Sequence, residues 1–350
     1  MADASPVPAG APAQSGGVSR PNDVTLRLYD AVPVAPVWVG LGVVLAYLAL
    51  FLVVARFSGS FRPLGEASQV LLWETVNAVI VGYLLTVNVI VVRKGRRDLE
   101  ELKPRLNVSE EGFRQLVNEA TNPSARGLLL YGLLGVAGGA VLPLFDSGIW
   151  GGGPTPPLTS ALFLWVAFHN ALIGWAGMRN GVTETALTRG FTRAADLVSI
   201  DLLDTRALSP FARKSQRSLM GWAGFSVLFS LFFLGDTPAD ANRFFLILIV
   251  GVLLAVFFTP LAALRRRISA AKAEELSRVN EKIRRAQQGG TAAEEPSLAD
   301  WVGYRGLIEG VREWPINTSG LLRALLFAAL GVGSWLGGAL VERFLGTVLD

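Results

Sequence analysis

Seven apolar runs, each close to the length of a bilayer crossing, constrain this chain more than any other feature. They lie at about residues 34–55, 70–92, 127–145, 158–178, 219–234, 244–264 and 320–340. A helix rises 1.5 Å per residue, so about 20 residues cross the roughly 30 Å of hydrocarbon. In lipid every backbone polar group must be satisfied within the segment, which leaves the helix as the form for such runs. The sequence therefore predicts an all-α polytopic membrane bundle of about seven spans. The composition agrees: 51% of the 350 residues are hydrophobic and the mean hydropathy is +0.43.

Charge placement orients the bundle. Cytoplasmic loops carry an excess of Lys and Arg. Residues 93–126, 179–218 and 265–319 hold 8, 7 and 10 of them, whereas 56–69, 146–157 and 235–243 hold 2, 0 and 1. This strict alternation supports both the span count and the direction. It places the N-terminus and the three long loops inside and the C-terminus outside. The Arg-, Ala- and Gly-rich composition points to a bacterial protein, and hence to the inner membrane.

Between the spans the sequence divides as follows. Residues 1–33, rich in Pro, Ala, Gly and Ser, read as a disordered cytoplasmic tail. Residues 34–264 form a six-span bundle with basic loops 93–126 and 179–218. In the first loop, residues 110–120 read as a short amphipathic helix capped by Ser109, with Phe113, Leu116 and Val117 on one face. It either lies along the headgroups or packs on the bundle. Ser209 before Pro210 marks another helix start. Residues 320–350 carry the seventh span and a short outer end.

Residues 265–319 read as a cytoplasmic antiparallel helical hairpin. In the first arm Ile268, Leu276, Val279 and Ile283 make one stripe, interrupted by Lys272. The second arm, capped by Ser297, offers Leu298, Trp301, Val302, Ile308 and Val311. Gly289 and Gly290 end the first arm. An arm of about 24 residues is roughly 36 Å long. Leu276, Val279, Ile283, Val302 and Ile308 are the candidate partner-docking set. Trp314-Pro315 ends the second arm and suits a membrane interface.

Several segments resemble uncharacterised bacterial multi-pass integral membrane proteins. They are 271–276 (AKAEEL), 304–315 (YRGLIEGVREWP), the GSWLGGALVERFL part of the last span, and 200–213 (IDLLDTRALSPFAR). The resemblance implies a membrane location and carries over no functional residue.

Polar groups inside spans are the default place to look for function. The candidates are Glu74 and Asn77 in the second span and His169 and Asn170 in the fourth. Glu74 lies near the outer end, within reach of interfacial water. His169 is the one histidine of the chain and lies near mid-span. Asn77 and His169 differ in depth by about one turn, roughly 6 Å, and can meet if the two spans pack. Small residues spaced four apart, Gly135 with Gly139, Gly333 with Gly337 and Ser334 with Gly338, read as helix-packing devices.

The absence of cysteine excludes disulfides, thiolate metal sites and a Cys nucleophile. There is no HExxH, one histidine cannot make a two-histidine zinc site, and no phosphate-binding loop is present. The sequence thus points away from an enzyme and implies no cofactor. Acidic residues interleaved with basic ones argue against nucleic acid. The reading that remains is a scaffold, sensor or assembly subunit working through cytoplasmic loops, with the lipid bilayer and a cytoplasmic protein or a second copy as partners. The alternative is a transporter or channel with a polar path near Glu74, Asn77 and His169. A continuous polar cavity at His169 favours transport, and a sealed apolar bundle favours the scaffold.

Overall fold

The structure, a computed structural model, describes residues 21–58, 64–145, 157–231, 239–288 and 296–314, with 326 as a single further position. Among these the chain is helical: α1 (Val24–Ala31), α2 (Pro36–Ser58), α3 (Leu64–Leu102), α4 (Glu110–Thr121), α5 (Ala125–Phe145), α6 (Ala161–Leu197), α7 (Ser209–Ser230), α8 (Ala239–Gln287) and α9 (Leu298–Gly310). Four stretches are long and apolar enough to cross a bilayer, namely Pro36–Phe57, Leu71–Arg105, Glu110–Phe145 and Ala161–Leu197. They contain the first four expected spans. α7 begins at the expected Ser209-Pro210 step, but its first half carries Arg213, Lys214 and Arg217 and is not apolar. α8 contains the position of the sixth span. The seventh, with Gly333, Ser334, Gly337 and Gly338, lies outside the described residues, as does the 289–295 turn.

Three helices are longer than a bilayer crossing requires. α3 has 39 residues, α6 37 and α8 49. At 1.5 Å each these are about 58, 55 and 73 Å long, against roughly 30 Å of hydrocarbon. Nothing after 92 or 178 stops the helix. Lys, Arg, Glu and Leu favour it, and the first proline on α3's path is Pro104.

The extensions build a core of their own. Leu99 and Leu102 of α3, Leu116 and Ala120 of α4, Leu187, Phe191 and Ala195 of α6, Phe211 of α7, and Leu264 and Ile268 of α8 form one buried cluster. The Phe191 and Phe211 rings meet edge to face at 5.6 Å. A two-bond backbone bridge ties its edges, with the Asn107 N–H donating to Leu197 O at 2.9 Å and the Ser199 N–H to Arg105 O at 2.8 Å. The three stretches expected as separate basic loops therefore share one packed interior. α4 starts as expected, the Ser109 hydroxyl accepting from the Gly112 N–H, and buries Phe113, Leu116 and Val117. Of the two placements left open for it, packing on α6 and α3 is the one observed. The α4–α6 contact is close because Gly190 has no side chain. A methyl group there would collide with Ala120.

Inside the apolar zone α5 and α6 run backbone to backbone. Added methyl groups at Gly135 and Gly139 would strike the Gly174 and Asn170 carbonyls. The expected small-residue pair on α5 thus packs within the chain.

Two expectations need correction. Residues 21–33 are not a disordered tail, since α1 lies within them and buries Leu26 and Tyr29 against Val89 and Val92 of α3. Residues 1–20 lie outside the described residues. Val302 does not face α8, because its side chain is 54% exposed. α9 packs on α8, but on the adjoining stripe. Tyr304 donates to Glu275 at 3.2 Å, Trp301 lies under the Lys282 ammonium, and Ile308 is fully buried. Val279 is buried too, whereas Leu276 and Ile283 are half-buried. Lys272, which interrupts the apolar stripe, has a role here. Its ammonium donates to the carbonyls of Glu309 at 2.7 Å and Val311 at 2.9 Å, closing the C-terminus of α9. Ser297 and Asp300 form a capping box at the other end. Trp314 then packs on Phe258 and Arg265, where the chain returns to α8.

Candidate functional site

Within the apolar zone α2, α3 and α6 converge on one polar group. Glu74 and Asn77 sit one turn apart on the inner face of α3, and both are buried. The Tyr47 hydroxyl, from α2, donates to Glu74 Oε2 at 2.9 Å. His169, from α6, places Nδ1 3.7 Å from Glu74 Oε1, just beyond hydrogen-bond reach, and that nitrogen has no partner among the described residues. Trp165, one turn earlier on α6, packs against Tyr47 at 5.4 Å and edge-on to His169 at 6.5 Å. The set is a carboxyl, a phenol and an imidazole, with Tyr47 bonded to Glu74 and His169 facing it across 3.7 Å.

The sequence allowed His169 to meet Asn77 if the two spans pack, and in the structure His169 approaches Glu74, at 3.7 Å. Glu74 was read as within reach of interfacial water, and the structure buries it beside Tyr47. Asn170 does not join the group. It donates to its own helix, at Val166 O, 2.9 Å away. Tyr47 and Trp165 were missed, because an aromatic in an apolar run looks like any other lipid-facing or packing residue.

Below this group the interior turns apolar. Ile80 and Val81 are fully buried, and Leu84 and Ala176 nearly so. Polar groups resume about two turns further on. The Asp23 carboxylate, at the N-terminus of α1, is fully buried and receives the Arg179 guanidinium of α6, the Thr25 N–H at 2.8 Å and Asn88 Nδ2 of α3 at 3.3 Å. Arg179 stacks over the Trp175 ring at 4.5 Å. Deeper in the helical extensions, Lys214 of α7 donates to Glu184 Oε1 and Thr188 Oγ1, both at 2.6 Å. Burial lowers the Lys214 pKa, and the Glu184 charge opposes that shift. Asp98 of α3 gathers Arg213 at 3.0 Å and Arg217 at 2.9 Å.

None of these three ion-pair groups was singled out from sequence. One signal was present for the first. Asn22-Asp23 stands before a Leu26/Tyr29 spacing, which is a helix-start pattern. Arg179 and Glu184 carried no signal, since they lie just past an apolar run, where charges are ordinary.

Among the described residues no cluster of three His, Asp or Glu side chains could hold a metal ion. Comparison with protein-family models, curated proteins and solved structures finds no match to this chain. Fold and site thus define a class and no narrower identity. Among the described residues the chain is helical, with four helices of membrane-crossing length and apolarity. It also carries a buried carboxyl–imidazole contact within that zone and a separate helical core at one end.

Proposed function

We propose that this chain is a multi-pass membrane scaffold or assembly subunit, and that its helical extensions form a water-side domain that docks a protein partner. The observation that carries this reading is the single core shared by α3, α4, α6, α7 and α8 beyond the apolar zone. A chain that needed only to thread the bilayer would connect its spans with short, separately solvated loops. This one invests its largest buried cluster in joining three connecting regions into one body, and α9 adds a further layer on α8. The Lys and Arg excess supports a cytoplasmic location for that body, with seven spans and a bacterial inner membrane as the setting. The apolar layer at Ile80, Val81, Leu84 and Ala176 separates the Glu74–His169 group from the polar groups beyond it. That separation favours a scaffold over a continuous path.

The test is purification of the full chain from native membranes after mild crosslinking, with and without Phe191→Asp. Scaffolding expects a stoichiometric protein partner that is lost when the domain core is broken, while the chain stays membrane-inserted. A partner retained unchanged by the core-broken variant would refute it.

A second reading rests on the Tyr47–Glu74–His169 contact, a combination costly to keep within a bilayer. In that reading the chain moves protons or a small solute. Reconstituted vesicles would show a flux that Glu74→Gln abolishes.

A further inference from the structure

A groove of about 920 Å³ opens where α4 and α5 meet α6. Two tight contacts on α6 frame it. At Gly174 the α5 backbone touches α6, and at Gly190 α4 does the same through Ala120. The 16 residues between these points span about 24 Å. Between them the groove opens beside Gly181, which has no side chain and open space above its Cα. The lining changes character along the groove. Tyr131 and Met178 lie at the end nearest the apolar zone, and Arg189 and Arg193 lie at the other end, beside Asn118 and Asn122.

Charge is also unbalanced there. Glu119 is the one acidic residue in the lining, and it is taken by Arg193. Arg189 is exposed and has no ion pair among the described residues. One end of the groove thus offers apolar surface at the depth where the expected third and fourth spans end, and the other end offers a guanidinium in need of an anion.

We propose that this groove holds an anionic phospholipid, its phosphate on Arg189 and the start of its acyl chains along Tyr131, Met178 and Val182. The amphipathic lining selects a lipid over a free anion, since a free phosphate has no use for the apolar half. Basic pockets between helices at the membrane surface are suited to such headgroups, because the guanidinium meets the phosphate diester while the chains stay in hydrocarbon. The proposal rests on the bilayer location of α5 and α6 and is independent of whether the helical domain docks a protein.

The experiment is native mass spectrometry of the full chain released from micelles containing equal phosphatidylglycerol and phosphatidylcholine. The wild type should retain phosphatidylglycerol about fivefold over phosphatidylcholine. Arg189→Gln should reduce that ratio to about one, and Gly181→Leu, which fills open space on an intact helix, should lower retention of both lipids. Arg305→Gln, on the exposed side of α9, should leave the ratio unchanged. Thermal melting of each variant identifies any that has lost its fold. Equal retention of the two lipids by the wild type would overturn the proposal. So would an Arg305→Gln effect as large as that of Arg189→Gln. Displacement of the bound lipid by millimolar inorganic phosphate would assign the site to a free anion and overturn it as well.

Discussion

Replacing Asp23 with alanine removes the one carboxylate among the described residues that neutralises Arg179, whose side chain is 10% exposed. Breaking a buried ion pair by deleting one partner costs about 3–5 kcal/mol, because the other charge is left in low dielectric. The same change removes the N-cap acceptor of α1, worth about 1 kcal/mol more. An eight-residue helix cannot hold itself together in water. The chain therefore relieves the strain by releasing α1, which lets water reach Arg179. The penalty appears as local opening and not as loss of the bundle. At the lower bound of about 3 kcal/mol, the open fraction rises about 100-fold. The chain has no cysteine, so Leu26→Cys supplies a single thiol on the buried face of α1. Its rate of modification by a polar maleimide reports the opening. Asp23→Ala should raise that rate about 100-fold, and Asp23→Asn, which keeps a capping oxygen but no charge, should fall between. Rates within about twofold of each other across the three backgrounds would refute the claim that this pair holds α1 down.

Further outcomes are expected. A reporter active only outside the cytoplasm should be silent when fused after Gln288 and active when fused at Gly152, and the reverse would invert the proposed orientation. Val279→Asp with Ile308→Asp puts two carboxylates where α8 meets α9. Limited proteolysis should then cut within 288–314 while the membrane-embedded part stays intact, and an unchanged pattern would mean that this contact does not hold α9. Gly174→Leu forces a side chain against the Gly135 backbone, so the folded protein should fall to a small fraction of wild-type yield, whereas Gly177→Leu, in open space, should be tolerated.

The positions of the first four apolar helices were legible because lipid imposes its demand on composition alone, and length settles the rest. The ends of helices were legible only where a side chain closes them. Ser109 and Ser297 announce α4 and α9, but no residue near 92 or 178 announces that α3 and α6 continue. A charge cluster after an apolar run marks where the bilayer ends, and the same residues are good helix formers, so the two boundaries were read as one. The face of α9 was misjudged because Trp301 and Val302 are adjacent, and each belongs to a stripe with Ile308 in reach. Asp23 and Arg179 are 156 positions apart, and no local pattern in a single sequence joins them. The Glu74–His169 approach was half visible. Both residues stood out as polar groups in apolar runs, but which turn of α3 faces His169 depends on how two helices rotate about their axes.

α8 runs without interruption from Ala239 to Gln287, with Pro260 inside it. Proline removes one backbone hydrogen bond from a helix and leaves a preferred place to bend. The 27 residues beyond it extend about 40 Å. Held at its near end, such a rod works as a lever. A change of about 10° in tilt, well within the range that helices adopt as bilayer thickness varies, would carry its far end sideways by about 7 Å. α9 is fastened to that far half by Lys272 and Tyr304, so it would move with it.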